Sequence, residues 1–139
     1  MSEAEAATAV SVAGKLGLKT GDLVQELGYD EDVDFDFRDA LEADIGSELL
    51  MEDDQDVVDG VILWWRNNDG DLVDALVDAL VSLGEGGVIW VLTPKPGREG
   101  YVAPSEIQEA APTAGLHSTS SAGVSKEWAA TRLVSRRKQ

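Results

Sequence analysis

At 139 residues and 14.8 kDa, with 43% hydrophobic residues, the chain holds enough apolar material for one core and little beyond it. The absence of cysteine excludes disulfides, thiolate metal sites and thiol nucleophiles. A net charge of −16 argues against nucleic-acid phosphate or an anionic membrane as direct ligand.

No apolar run reaches the ~18 residues that a membrane span needs, and no basic-then-apolar leader opens the chain, so a soluble cytoplasmic protein is the expectation. Residues 1–13, rich in alanine and glutamate, are expected to be disordered or frayed. Residues 14–135 are expected to form one α/β domain, with 136–139 as a basic tail. The glycine-punctuated stretch 14–21 leads into a short strand over Asp22–Tyr29 that ends at Gly28. An acidic turn follows, and then a helix from about Asp36 to Ile45, because Phe37, Leu41 and Ile45 recur every four residues and Gly46 can terminate it. Leu49, Leu50 and Met51 form a brief apolar patch before a second acidic run.

Val57–Trp65 is β-branched and aromatic on both faces, as a central strand requires. From Asp71 to Leu83 the doubled Leu-Val-Asp-Ala sequence drifts slowly around a helix, with Asp69 or Asp71 as its cap and Gly84, Gly86 and Gly87 as its stop. Gly87–Thr93 reads as a second central strand, closed by Pro94. A helix over about Ser105–Ala114, an extended His117–Val124 and a final strand over Trp128–Ser135 complete the order, the last two as an antiparallel pair. Alternating strands and helices imply a three-layer Rossmann-like α/β sandwich, with a mostly parallel sheet and right-handed crossovers.

GGVIWVLTPK at 86–95, followed by SEIQEAAPTAGLHSTSS and WAATRLVS, resembles the back half of a class I methyltransferase fold. The segments LVQELGYDEDVD, DVVDGVILWW, GDLVDALVDAL and GGVIWVLTPKPGREG resemble an uncharacterised family of small acidic actinobacterial proteins. That resemblance implies a truncated Rossmann-like domain and brings no established activity. In methyltransferases an acidic residue ends the first strand and a glycine-rich turn follows. Glu26 and Gly28 match the opening and become the cofactor-binding candidates for S-adenosylmethionine. Tyr29-Asp30-Glu31-Asp32 then stand where further glycines belong, and the interval from Asp30 to Asp56 is short for the usual second and third strands. Leu49-Leu50-Met51 is the one apolar remnant of them.

The charge is uneven. Between Asp22 and Asp78 there are 20 acidic residues against Arg38 and Arg66 only, while the remainder carries 7 acidic and 9 basic residues. Such a lobe favours a basic protein surface or a cation, although plain solubility also explains it. Asp30, Asp32, Asp34, Asp36, Asp53 and Asp54, with Trp65 as an aromatic anchor, are the expected interaction surface. Adjacent Trp64 and Trp65 should face opposite sides of a strand, one of them nearing the surface at the strand end.

Asp30, Asp32 and Asp34 also alternate like a calcium loop. Counting from Asp30, however, places Phe35 and Leu41 where an EF-hand needs glycine and glutamate, so only a loose cation site remains open. His117, the sole histidine, has serines beside it but no triad spacing. Thr93, Lys95 and Arg98 lie at the carboxyl edge of a central strand, where α/β sheets bind ligands, and can hold an anion unless the Pro/Gly cluster there simply turns the chain.

The functional expectation is a non-catalytic regulatory or accessory protein that meets a basic protein partner through its acidic lobe. A reduced S-adenosylmethionine-dependent methyltransferase, or a small-ligand-binding domain, is the alternative.

Overall fold

The computed structural model describes residues 11–54 and 56–135. Ser11 caps a four-residue helix, α1 (Val12–Lys15), by accepting from the Gly14 amide. Of the segment expected to be frayed, residues 1–10 lie outside the described residues, as does the tail 136–139. Ala13 is buried, and its amide donates to Asp44 Oδ2 at 3.0 Å.

β1 (Val24–Leu27) leads to α2 (Phe35–Ile45), which buries the expected stripe of Phe37, Leu41 and Ile45. Asp34 caps α2 by accepting from the Phe37 amide at 3.0 Å, and Gly46 ends it at φ +86°. β2 (Val58–Trp64) is followed by α3 (Leu72–Ser82), capped by Asp71. Asp69 instead accepts from the amide and guanidinium of Arg66 in the preceding turn. β3 (Leu83–Pro94), α4 (Pro104–Thr113), β4 (Leu116–Ala122) and β5 (Trp128–Ser135) complete the chain.

The expected glycine stop after α3 is not a separate loop. Leu83 already pairs with Val58, the glycines bulge out, and pairing resumes at Gly60 and Val88.

The sheet runs β1-β2-β3-β5-β4, with β1, β2 and β3 parallel and β5 antiparallel to both its neighbours. The parallel β1–β2–β3 core and the closing antiparallel pair are as the sequence implies. Leu50 makes a single parallel bridge to Gln25 on the outer edge of β1, the residue of a further strand.

One sheet face packs Ile62, Trp64 and Trp90 against α1 and α2. The other packs Val61, Leu63, Trp65, Ile89 and Val91 against α3 and α4. Trp64 and Trp65 thus face opposite layers, as strand alternation requires.

Candidate functional site

A cleft of about 910 Å³ opens at the carboxyl ends of β1 and β2 and extends along their α3-side face. Strand alternation puts Gln25, Leu27, Leu63 and Trp65 on its floor, and α3 contributes Ala75, Asp78, Val81 and Ser82 as one wall. The opposite wall is the loop carrying Glu52, Asp53, Asp54, Asp56 and Val57, and Asp30 and Asp69 close the carboxyl end. Among the described residues, seven carboxylates therefore surround it, with Arg66 the sole basic residue of the lining.

That arginine is fully committed. Its Nε donates to Asp32 Oδ2 at 3.1 Å and its Nη2 to Asp32 Oδ1, while Nη1 donates to Gly28 O at 2.8 Å and Asp69 Oδ2 at 3.2 Å. The guanidinium also lies 5.2 Å from the centre of the Trp128 ring. Arg66 thereby ties the turn after β1 to the turn after β2.

The Arg66 hydrogen bond holds the Asp32 carboxyl below the ordinary carboxylate range. An acid with a depressed folded-state pKa contributes stability above its unfolded value, and that stability is lost as pH falls through the folded one. Asp32→Asn should therefore lower stability by ~1 kcal/mol at neutral pH, a modest amount because the Asp32 side chain is 48% exposed. The deficit should vanish in strong acid. Urea midpoints from pH 7 downward check this; a deficit that stays constant with pH refutes it.

Glu26 is 6% exposed and faces away from the cleft, toward α2. Its Oε2 accepts from Arg38 Nε at 2.7 Å and Trp64 Nε1 at 2.8 Å, and its Oε1 accepts from Arg38 Nη2 at 2.9 Å. Glu26 also holds the Arg38 guanidinium above its usual pKa, and that guanidinium lies 4.9 Å from the centre of the Tyr29 ring. Gly28, at φ +78°, does border the cleft, and its amide donates to Glu52 Oε2 at 2.9 Å. The two members of the Glu-x-Gly fragment thus work on opposite sides of the sheet.

The alternating aspartates diverge. Asp32 belongs to Arg66, Asp34 caps α2 and accepts from Ser125 Oγ at 2.6 Å, and Asp30 accepts from the neighbouring Glu31 amide. Among the described residues no group of three or more acidic or histidine side chains is arranged to hold a metal ion. Asp30 and Asp34 thus serve a turn and a helix cap, and Asp32 the tie to Arg66. Asp36 and Asp53 are exposed, and Asp54 is half-buried because it accepts from the Met51 amide.

Trp65, one residue past the end of β2, is 7% exposed because it packs with α3 and α4, and it serves as cleft floor.

The anion candidates are likewise spoken for. Thr93 is buried within β3, Lys95 Nζ donates to Ser125 O at 3.0 Å, and Arg98 pairs with Glu127 at 3.4 Å. Both cations clamp the β4–β5 turn rather than converging on a shared space. His117 is exposed on β4.

Sequence reasoning missed the roles of Arg38 and Arg66, although their isolation inside the acidic stretch was a signal. Two lone cations among 20 carboxylates are the ones that the fold uses as ties.

A five-stranded sheet of this order, with helices on both faces and a cleft at its parallel carboxyl edge, is a Rossmann-like fold of the methyltransferase type. It is similar to the O-methyltransferase NcsB1 from neocarzinostatin biosynthesis, solved with S-adenosylmethionine. That match has a TM-score of 0.52 and 16% identity over 90% of this chain, which spans only 46% of NcsB1. The CcbJ methyltransferase of Streptomyces caelestis superposes at TM-score 0.55 with 13% identity, over 89% of this chain and 95% of that one. A TehB-like methyltransferase of Corynebacterium glutamicum does so at 0.52 with 15% identity, over 96% and 92%. These likenesses are of fold. The chain belongs to the family described as protein of unknown function (DUF3052), which matches residues 13–137. Uncharacterised proteins of Mycobacterium tuberculosis and Mycobacterium bovis are 56% identical to it over 126 residues, 91% of this chain and 79% of theirs. The expected uncharacterised actinobacterial family is thus the right one. Among the described residues, no helix is long and apolar enough to cross a membrane.

Proposed function

We propose that the protein is a non-catalytic accessory or regulatory domain whose acidic lobe receives a basic segment of a partner protein. The observation that carries this reading is the charge of an open cleft, in which, among the described residues, seven carboxylates face a single arginine whose three nitrogens are each already hydrogen-bonded. Such a concentration of one sign favours a cationic partner and steers its approach, with a strong dependence on salt.

The alternative is S-adenosylmethionine, which NcsB1 holds in its solved complex. The residues here do not fit that cofactor. Both oxygens of Glu26 are engaged by Arg38 and Trp64, and the Gly28 amide is engaged by Glu52. The turn that should approach the cofactor closely carries Tyr29, Asp30, Glu31 and Asp32 in place of glycines. Where the second and third strands of a methyltransferase belong, there is one bridge at Leu50.

The immobilised protein, offered a mycobacterial extract, should retain a basic species at low salt and release at least about tenfold of it at high salt, where the Debye length shrinks to ~3 Å. The triple variant Asp30→Asn, Asp53→Asn, Asp56→Asn, altering exposed positions, should lose that species. Equal retention by the variant, or a saturable heat on titrating S-adenosylmethionine into the wild type, refutes the reading.

A further inference from the structure

We infer that the groove between α3 and the loop residues 52–54, 56 and 57 seats one amphipathic helix of the partner, with apolar side chains on the sheet and lysines or arginines along both rims; this rests on the acidic-lobe reading above.

The sheet shows why a helix position is open. α1 and α2 cover one face, while α3 and α4 cover only part of the other. Between α2 and β2 the chain returns as a loop with a single bridge at Leu50, so among the described residues no helix covers β1 on the α3 side. Half-buried Leu27 is left there as floor beside Leu63 and Trp65, while Gln25 is held under the loop, its amide donating to the Met51 and Asp54 carbonyls.

The groove walls carry two of the most exposed apolar side chains of the described residues, Val57 at 72% and Val81 at 80%. Their exposure costs hydrophobic stabilisation that an occupant would restore.

The charges flank this apolar strip instead of filling it. Asp78 stands on the α3 side, and Glu52 and Asp56 stand on the loop side. A helix with a narrow apolar face and long basic side chains on its flanks meets that layout, because lysine and arginine stems lie along apolar surface while their heads reach outward.

An extended segment is disfavoured. The outer edge of β1 already bonds to Leu50, whose amide donates to Val24 O at 2.8 Å and whose carbonyl accepts from the Glu26 amide at 2.9 Å. Backbone addition of a strand is therefore obstructed at the centre of that edge. Along β2 from Val57 to Trp65 the groove runs about 26 Å, the length of a helix of about 17 residues.

Two synthetic peptides of about 18 residues and identical leucine–lysine composition serve as probes, one ordered as an amphipathic helix and one shuffled to remove the apolar face. The amphipathic peptide should bind the full-length protein at least about tenfold more tightly, gain helical circular dichroism on binding, and shift the amide resonances of Ala75 and Val81. The charge-neutral double variant Val57→Asn, Val81→Gln, at exposed positions that leave folding intact, should reduce that preference to about twofold or less. It should leave salt-sensitive binding of both peptides in place. Equal affinity of the wild type for the two peptides overturns the helix groove while the acidic-lobe reading stands. Failure of both peptides to bind at low salt overturns that reading as well.

Discussion

Glu26→Ala is expected to destabilise the protein by about 3 kcal/mol, because it leaves a half-buried arginine without its counter-ion. The Arg38 side chain is 20% exposed and that of Glu26 is 7% exposed, so water compensates neither well. The Trp64 indole N–H, wholly buried, loses its acceptor in the same step. The double variant Glu26→Leu, Arg38→Leu should recover part of the loss, since replacing both charges removes the unpaired ion and leaves only the indole unsatisfied. Chemical denaturation of the three proteins decides the matter. A single variant as stable as the wild type would mean that Glu26 is not a structural clamp, and would reopen it as a ligand contact.

Gly28→Ala should cost about 3 kcal/mol or more. An alanine at φ +78° carries a left-handed backbone penalty of ~1–2 kcal/mol. Its Cβ would also overlap the Trp64 carbonyl oxygen and lie 3.3 Å from the carbonyl carbon, backbone that cannot swing aside. Gly17→Ala is the matched control, with φ +76° and nothing within 4 Å of the added carbon, and should lose only ~1 kcal/mol. Equal losses at the two positions would show that β1 and β2 do not approach closely at Gly28. This glycine is required by strand packing whether or not a ligand enters the cleft beside it.

These two residues mark how far local reasoning reached. The Glu-x-Gly fragment at the end of β1 was legible and suggested a cofactor pair. The Glu26 side chain goes into a clamp with α2, while Gly28, one residue past the end of β1, reaches the cleft rim through its backbone amide. The partner that consumes Glu26 comes from 12 residues away, and the one that holds Asp32 from 34 residues away. Spacing within a motif says nothing about such partners. The same is true of Lys95 and Arg98, which looked available in sequence and are held by the β4–β5 turn.

The elements themselves were written locally. The period of Phe37, Leu41 and Ile45, the doubled Leu-Val-Asp-Ala repeat, the caps at Asp34 and Asp71 and the left-handed Gly46 determine α2 and α3, because helix period and capping depend on residues within a turn or two. The two-faced apolar runs determine β2 and β3 as inner strands, and their parallel pairing follows from the helix between them. Tertiary structure alone decided that β5 inserts between β3 and β4, and that among the described residues the loop after α2 leaves one face of β1 without a helix. It also decided that the two arginines of an acidic stretch are spent as ties, leaving seven carboxylates around an open groove. Those outcomes depend on which distant groups meet once the sheet closes, and no local pattern encodes that.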